Sequence, residues 1–468
     1  MRILLVQPPT PPAAIGGDDW FIFEPLALEY LAAAVRGTND VIILDLRFGG
    51  SMRDALESFQ PDLVGITGYT VHVNTMRSLC ETVKRWNAQA VTVVGGHHAT
   101  VAPGDFADPG IDLVVVGEGV HPFREIVERM RRGASLTGIP SVGVAGHPPA
   151  SAPPAYGTPA HRLDGLPRPA RDLTAAWRSR YFCDWMKPIA SIRTSKGCPH
   201  RCRFCVLWKL TGGRYLRREP DDIVAELAEI AEPYVFFCDD ESLLDARRML
   251  QLAELIRDAG IRKQYFLYGR SDTIARHPEL LAAWRSVGLA RVFVGLEFHR
   301  EEDLAYVGKS TTLRDNDAAV RILHDLGIEV YACFMLRPDF ERRHFVELRR
   351  YSRALRLDYP LFTVLTPLVG TDLYEDLRSR LVTGNSDYCD FIHTLLPTRI
   401  PLRDFYRHYA WLLRTALPPR KKLDFIRKFP IAEIEAFLAR SLRVRRAVRN
   451  AWRDYEQLTQ GTVGAAKP

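Results

Sequence analysis

Three cysteines fall within nine residues, Gly197-Cys198-Pro199-His200-Arg201-Cys202-Arg203-Phe204-Cys205, in the spacing C-x3-C-x2-C. Three thiolates on one tight loop can each take one iron of a 4Fe–4S cluster and leave the fourth iron open. A structural zinc ion would instead want four close ligands, usually from two C-x2-C pairs, and His200 is the neighbour able to complete such a set. A disulfide knot needs an oxidising setting. The other cysteines, Cys80, Cys183, Cys238, Cys333 and Cys389, are scattered as buried residues of a chain from a reducing compartment would be.

The elements that must position this loop are legible as alternating apolar patterns. Strands are expected at Arg2–Val6, Asp40–Asp45, Leu63–Thr67, Val91–Val94 and Leu113–Val116, with helical spacing in Pro25–Val35, Val73–Trp86 and Phe123–Arg131. That alternation argues a doubly wound parallel sheet over residues 1–140. From Ser141 the chain turns Pro- and Ala-rich, as in Pro148-Pro149-Ala150-Ser151-Ala152-Pro153-Pro154, and reads as a surface connector to about residue 187. Six further strands, Ala190–Arg193, Tyr234–Cys238, Gln264–Tyr268, Val292–Leu296, Glu329–Phe334 and Leu361–Thr366, alternate with helices over residues 188–375. The cysteine loop trails the first of them, where β/α barrels do their chemistry. Residues 376–468 read as helical, with packed helices at Phe391–Leu396 and Phe405–Leu413 and an amphipathic basic stretch at Ile434–Trp452.

The cysteine spacing, with the aromatic Phe204 directly before Cys205, resembles the trinuclear motif of the radical S-adenosylmethionine enzymes. The resemblance implies that Cys198, Cys202 and Cys205 hold the cluster and that S-adenosylmethionine chelates the open iron. The cluster would then cleave it to a 5′-deoxyadenosyl radical. It also implies that Asp240, after the second barrel strand, meets the methionine amino group. Arg270 and Glu297, after the third and fourth, would face the cofactor too. Each acid has a plainer reading as a helix cap or a solvated loop charge. Ala332-Cys333-Phe334-Met335-Leu336-Arg337-Pro338 departs from the glycine-bearing adenine turn of such enzymes. Thr366-Pro367-Leu368-Val369-Gly370-Thr371 matches their P-L-x-G-T. Tyr215, Tyr265, Tyr268 and Tyr331 could face the barrel interior, with core packing or a rim anchor the better expectation for each.

The strand ends of the first domain carry Thr67-Gly68-Tyr69, Gly95-Gly96-His97-His98-Ala99-Thr100 and Gly117-Glu118-Gly119. Glycine there lets backbone approach a large planar ligand, at the end of the sheet where ligands bind. These loops resemble the cobalamin-binding domain found upstream of many radical S-adenosylmethionine domains. The resemblance makes Thr67, Gly68, Tyr69, Gly95, Gly96, His97, Gly117, Glu118 and Gly119 cobalamin contacts. The plainer reading has His97 and His98 hydrogen-bonded to loop backbone. No D-x-H-x-x-G occurs, so the lower face of the cobalt is expected without a histidine ligand. No spaced-glycine dinucleotide fingerprint occurs either.

The whole chain is thus similar to the cobalamin-dependent radical S-adenosylmethionine enzymes, most like the hopanoid C-3 methylase group. The expected fold is α/β: a Rossmann-like cobalamin-binding domain, a partial (β/α)6 barrel and a C-terminal helical region. The implied activity is methylation of an unactivated carbon, on a small-molecule or lipid substrate. Ring closure or rearrangement without methyl transfer is the alternative, and a corrinoid-binding sensor the non-enzymatic one. A low-potential donor such as ferredoxin or flavodoxin would supply electrons. Residues 420–468 hold 12 Lys+Arg against 5 Asp+Glu, the whole of the net +7. Partner arguments from charge therefore belong to this tail: a peripheral contact with the inner face of a membrane, or simply a solvated helix face. Nucleic acid is not expected, since no stacking platform accompanies the charge. No apolar run is long enough to span a bilayer, so the expected location is cytoplasmic.

Overall fold

The computed structural model describes residues 1–144, 163, 165–417, 423 and 431–456. Six strands form the first sheet: β1 (Arg2–Gln7), β2 (Asp40–Asp45), β3 (Leu63–Thr67), β4 (Val91–Gly95), β5 (Leu113–Val115) and β6 (Val142–Val144), ordered β2-β1-β3-β4-β5-β6. All pairs are parallel except β5 with β6. Ile3, Leu4, Leu5 and Val6 are fully buried, as a strand covered on both faces requires. The covering helices are α1 (Leu26–Val35), α2 (Met52–Phe59), α3 (Val73–Trp86) and α4 (Val120–Arg131). α3 buries Val73, Met76, Cys80 and Val83, one stripe at helical spacing.

The second sheet contains β7 (Ile189–Ile192), β8 (Tyr234–Phe237), β9 (Gln264–Gly269), β10 (Leu289–Glu297), β11 (Glu329–Leu336) and β12 (Tyr359–Val364). Its order is sequential, β7 to β12, and every pair is parallel. The longer helices between them are α5 (Pro220–Glu229), α6 (Ala246–Asp258), α7 (Pro278–Ser286), α8 (Leu313–Asp325) and α9 (Arg342–Ala354). The result is an open partial barrel, with the cysteine loop at the β7 edge. At the β12 edge pack α10 (Leu402–Thr415) and α11 (Ile431–Asn450), and Tyr409 Oη of α10 donates to the Phe362 carbonyl (2.5 Å).

Two expectations need correction. The connector is not simply a surface strap: Val142–Val144 is the sixth strand of the first sheet, and Arg171–Arg180 forms a 3-10 helix anchored by charge. Arg171 pairs with Glu226 (2.8 Å) and Arg178 with Glu232 (2.6 Å) and Glu24, tying the N-terminal segment to the barrel. The proline-rich run Pro148–Pro154 lies outside the described residues, as do five of the tail's basic residues, Arg420 to Lys428. Phe391–Leu396 is irregular rather than helical. The Asp390 carboxylate accepts the amides of Ile392 and His393 (2.8 Å each), a local turn that competes with helix. No helix among the described residues is long and apolar enough to cross a membrane.

Candidate functional site

The carboxyl ends of both sheets open on one cavity of about 1660 Å³. A single ligand pocket is usually about 300–1,000 Å³, so this one has room for several bound molecules at once. Thr67, Gly68, Tyr69, Gly95, Gly96, His97, Gly117, Glu118 and Gly119 line it from the first sheet. Cys198, Cys202, Phe204, Cys205, Asp240, Arg270 and Glu297 line it from the barrel.

On the first sheet the loops are shaped by backbone. Gly96 has φ +99°, and a Cβ there would sit 2.5 Å from Thr67 Oγ1 and 3.0 Å from the Gly68 amide, so only glycine lets these loops meet. Gly117 also has positive φ (+84°) but faces open space, with nothing within 4 Å of a Cβ. Thr100 joins the two loops, its Oγ1 accepting the Gly117 amide (3.0 Å) and donating to the Gly96 carbonyl (2.8 Å). The two adjacent histidines have separate tasks. His98 is buried and holds Thr70 Oγ1 (3.1 Å) and Asp105 (2.9 Å), whereas His97 stands on the cavity wall. Burial, aided by Lys196, pushes the His97 ring down to about 4, so it is neutral near pH 7. Tyr69 is 64 % exposed although it stands inside the molecule: its ring projects into the cavity beside His97 (5.6 Å).

On the barrel side the loops are shaped by charge. Asp239, buried, accepts Thr194 N (2.7 Å), Thr194 Oγ1 (2.5 Å) and Ser195 N (2.8 Å). Asp240 accepts the Gly197 amide (2.6 Å), which fixes the residue before Cys198. Gly197 itself is at φ +90°, and a Cβ would strike the Arg214 carbonyl at 2.1 Å. Glu118 crosses from the first domain to Lys196 (3.0 Å) and Arg193 (3.8 Å). Against the cost of burial, these two cations hold its carboxyl below the usual range. Glu297 sits at φ +62° in a β-bulge, its Oε1 paired with Lys309 Nζ (2.6 Å). A non-glycine residue there costs roughly 1–2 kcal/mol, which the buried ion pair must offset. Several residues lining the cavity have a buried side-chain atom with no hydrogen-bond partner, among them Arg270 (Nη2), Glu241 (Oε1) and His200 (Nε2) beside the cysteines.

Burial raises the metal-free thiols: Cys198 to about 11, Cys205 to about 12, and Cys202 likewise upward. They therefore need a cation's charge to ionise. Among the described residues no three His, Cys, Asp or Glu side chains converge on a single ion position.

Residues 15–127 match the model of the B12 binding domain, and residues 192–352 that of the Radical SAM superfamily. The hopanoid C-3 methylase of Methylococcus capsulatus is 32% identical over 394 residues, covering 82% of this chain and 74% of that protein. The chain belongs to the cobalamin-dependent radical S-adenosylmethionine methyltransferases. The structure of the methyltransferase TsrM from Kitasatospora setae with cobalamin and [4Fe-4S] cluster bound superposes with a TM-score of 0.63 at 21% identity, covering 82% of this chain and 76% of that one. The cobalamin-dependent enzyme OxsB with aqua-cobalamin and S-adenosylmethionine bound gives 0.69 at 14%, covering 93% and 72%. At these identities the two structures speak for the fold.

The methyltransferase's cofactors are the 4Fe–4S cluster, S-adenosylmethionine and cobalamin, and it acts on a small molecule with a reductant. The residues present fit all three: soft thiols on one loop, a glycine-walled face with open space at Gly117, and unpartnered charged atoms suited to a zwitterion. Sequence reasoning had missed Lys309, Arg193 and Lys196, whose partners are fixed only by folding. Glu241 was visible beside Asp240. Of the four tyrosines, Tyr268 and Tyr331 line the cavity. Tyr265 packs in the core against Phe237 and Trp284, and Tyr215 Oη is anchored at the rim on the Glu241 carbonyl (3.3 Å). Arg337 pairs with Asp303 (2.7 Å) and Asp339 (2.5 Å).

Proposed function

We propose that this methyltransferase places a methyl group on an unactivated ring carbon of a hopanoid-type lipid, at C-3. The observation that carries the reading is the single cavity shared by the two sheets, taken with the hopanoid C-3 methylase as a relative. In this reading Cys198, Cys202 and Cys205 hold the cluster. Phe204, Asp240, Arg270 and Glu297 form the wall for S-adenosylmethionine. Thr67, Gly68, Tyr69, Gly95, Gly96, His97, Gly117, Glu118 and Gly119 would hold cobalamin. The functional division is 1–140 for cobalamin, with Val142–Val144 completing that sheet, then the connector to residue 187, 188–375 for the radical barrel and 376–468 for the helical region.

When bound, the cluster supplies the electron that cleaves S-adenosylmethionine, and cobalamin carries the methyl group. The chain's own residues hold these parts in place. Asp240 fixes the cysteine loop through the Gly197 amide. Asp239 fixes the end of β7, and Glu118 ties the cobalamin-side loop to Lys196, two residues before Cys198. A ferredoxin or flavodoxin supplies the electrons from the cytoplasm. The basic α11 rests on the inner face of a membrane through its exposed Ile431 and Leu442 beside Arg443 and Arg446.

Anaerobically reconstituted protein, given S-adenosylmethionine, cobalamin, a low-potential reductant and a desmethyl hopanoid, tests the reading by mass spectrometry. Equal 5′-deoxyadenosine and S-adenosylhomocysteine, with a lipid heavier by one methylene, are expected. Formation of 5′-deoxyadenosine alone would sink the hopanoid assignment.

A further inference from the structure

The cavity does not end at the cofactor walls. It runs along the open β12 edge of the barrel and under α11, where Leu361, Phe391, Leu413, Ile434, Phe437 and Leu438 line it. Its outer rim is closed by the N-terminal loop: Trp20 meets Phe437 edge-to-face (5.7 Å), and Asp19 pairs with Arg443 (2.6 Å). Leu438 both lines this arm and is half exposed, so the arm reaches the surface there.

The acidic groups of the arm are already hydrogen-bonded within the protein. Asp390 is taken by His393 (2.7 Å) and the Ile15 amide (2.8 Å), and Asp18 by Thr10 Oγ1 (2.8 Å). Glu329 and Asp184 are both held by Arg291 (3.0 and 3.1 Å), and Asp358 accepts the Val330 amide (3.0 Å). Arg445 Nε donates to the Ser441 carbonyl (3.2 Å). Among the described residues, none of the buried side-chain polar atoms lacking a partner belongs to this arm, whereas Arg270 Nη2 and Glu241 Oε1 do at the cysteine end. A cationic ligand would lose its hydration in the arm and find the acids there already engaged, at a cost of several kcal/mol. An uncharged hydrocarbon meets only surface that gains by being covered.

We propose that this arm binds the uncharged hydrocarbon body of the substrate, with Leu413, Phe437 and Leu438 setting which shapes are accepted and the reacting carbon directed toward the cysteine loop. The proposal rests on the lipid-methylation reading and assigns that substrate a place. On α11, Ile434 and Phe437 face the arm, while Leu438 stands at its border with the exposed stripe of Ile431 and Leu442.

Pyrene, a neutral polycyclic hydrocarbon, is the probe. Titrated into the full chain and followed by energy transfer from tryptophan, it is expected to saturate one site and to be unaffected by S-adenosylmethionine. Leu438→Glu, which puts a charge in the arm at a half-exposed position, should weaken pyrene by about tenfold or more. Ser441→Trp, which fills the arm, should do the same. Val382→Glu, at an exposed apolar residue outside the cavity, should leave it unchanged. Unaltered affinity in both arm variants, or displacement of pyrene by S-adenosylmethionine, overturns the proposal. Methyl transfer separates it from the reading beneath it. If the desmethyl hopanoid is methylated with an unchanged KM in both arm variants, the arm is wrong and the hopanoid reading survives. If no hopanoid is methylated but pyrene binding falls as expected, the arm stands for a different neutral hydrocarbon.

Discussion

Both sheets present their carboxyl ends to the same cavity, yet they furnish those ends in different ways. The first sheet offers backbone and space: Gly96 and Gly117 at positive φ, a neutral His97, and a tyrosine ring beside it in the cavity. The barrel offers charge under tension: Asp239 and Asp240 each holding loop amides, Glu297 locked to Lys309, and Arg270 with an unpartnered nitrogen. In the proposed reading the first end takes a large planar ligand recognised by shape, and the other a small zwitterion and a metal cluster recognised by ionic and soft donors. The same strand-end position therefore acquires opposite chemistry according to whether glycine or an acid follows the strand.

The largest effect that would break this contrast lies at the cysteines. Cys198→Ser, Cys202→Ser or Cys205→Ser should each take S-adenosylmethionine cleavage to background and strip iron and sulfide from the protein, as chemical iron analysis would show. Retained cleavage in any of them would remove the loop from cluster binding. Next comes the buried ion pair. Glu297→Gln leaves the Lys309 ammonium buried without its counter-charge, and breaking such a pair costs about 3–5 kcal/mol. Denaturant unfolding should show that loss, and Lys309→Met in the same chain should recover most of it. The glycines sharpen the other half of the contrast. Gly96→Ala should lose roughly 1–3 kcal/mol, since it combines strain with a 2.5 Å contact to Thr67 Oγ1. Gly117→Ala meets open space and should keep more stability while lowering bound corrinoid, measured by its visible absorbance. Equal behaviour of the two would mean that shape does not govern this wall.

The mildest effect belongs to a cluster that serves neither wall. His393 is buried between Asp390 (2.7 Å) and Asp454 (3.1 Å). Burial opposes its charge, but the two carboxylates win and raise its pKa above the ordinary 6.5. A histidine raised on folding contributes its full stability below 6.5 and loses it as pH climbs through the raised value. Thermal unfolding followed across that window should soften with rising pH, and His393→Gln should flatten the trend.

Most strands were legible because they are apolar runs buried on both faces, a signal that survives without partners: Asp40–Asp45 and Leu63–Thr67 match residue for residue. The cysteine loop was legible because its ligands are contiguous in sequence. The failures share another cause. Phe391–Leu396 carries helical-looking apolar residues, but Asp390 captures two amides that a helix would need. Lys309 and Lys196 have no local mark at all, since their meaning comes from Glu297 and Glu118, one of them in another domain. What Asp240 touches was also invisible, because a carboxylate after a strand looks the same whether it binds ligand or loop amide.

The ion pair from Glu118 to Lys196 has a consequence for how such proteins can be recombined. It places a contact of the first-sheet loop two residues from the first thiol, and Gly370 adds a close fit, where a Cβ would meet Val101 at 3.0 Å and Val206 at 3.2 Å. A chimera that exchanged only the barrel would keep the cysteine loop yet set it against a foreign wall. The two halves are thus shaped to each other at this seam, so an exchange of one calls for matching changes at Glu118 and Val101 in the other.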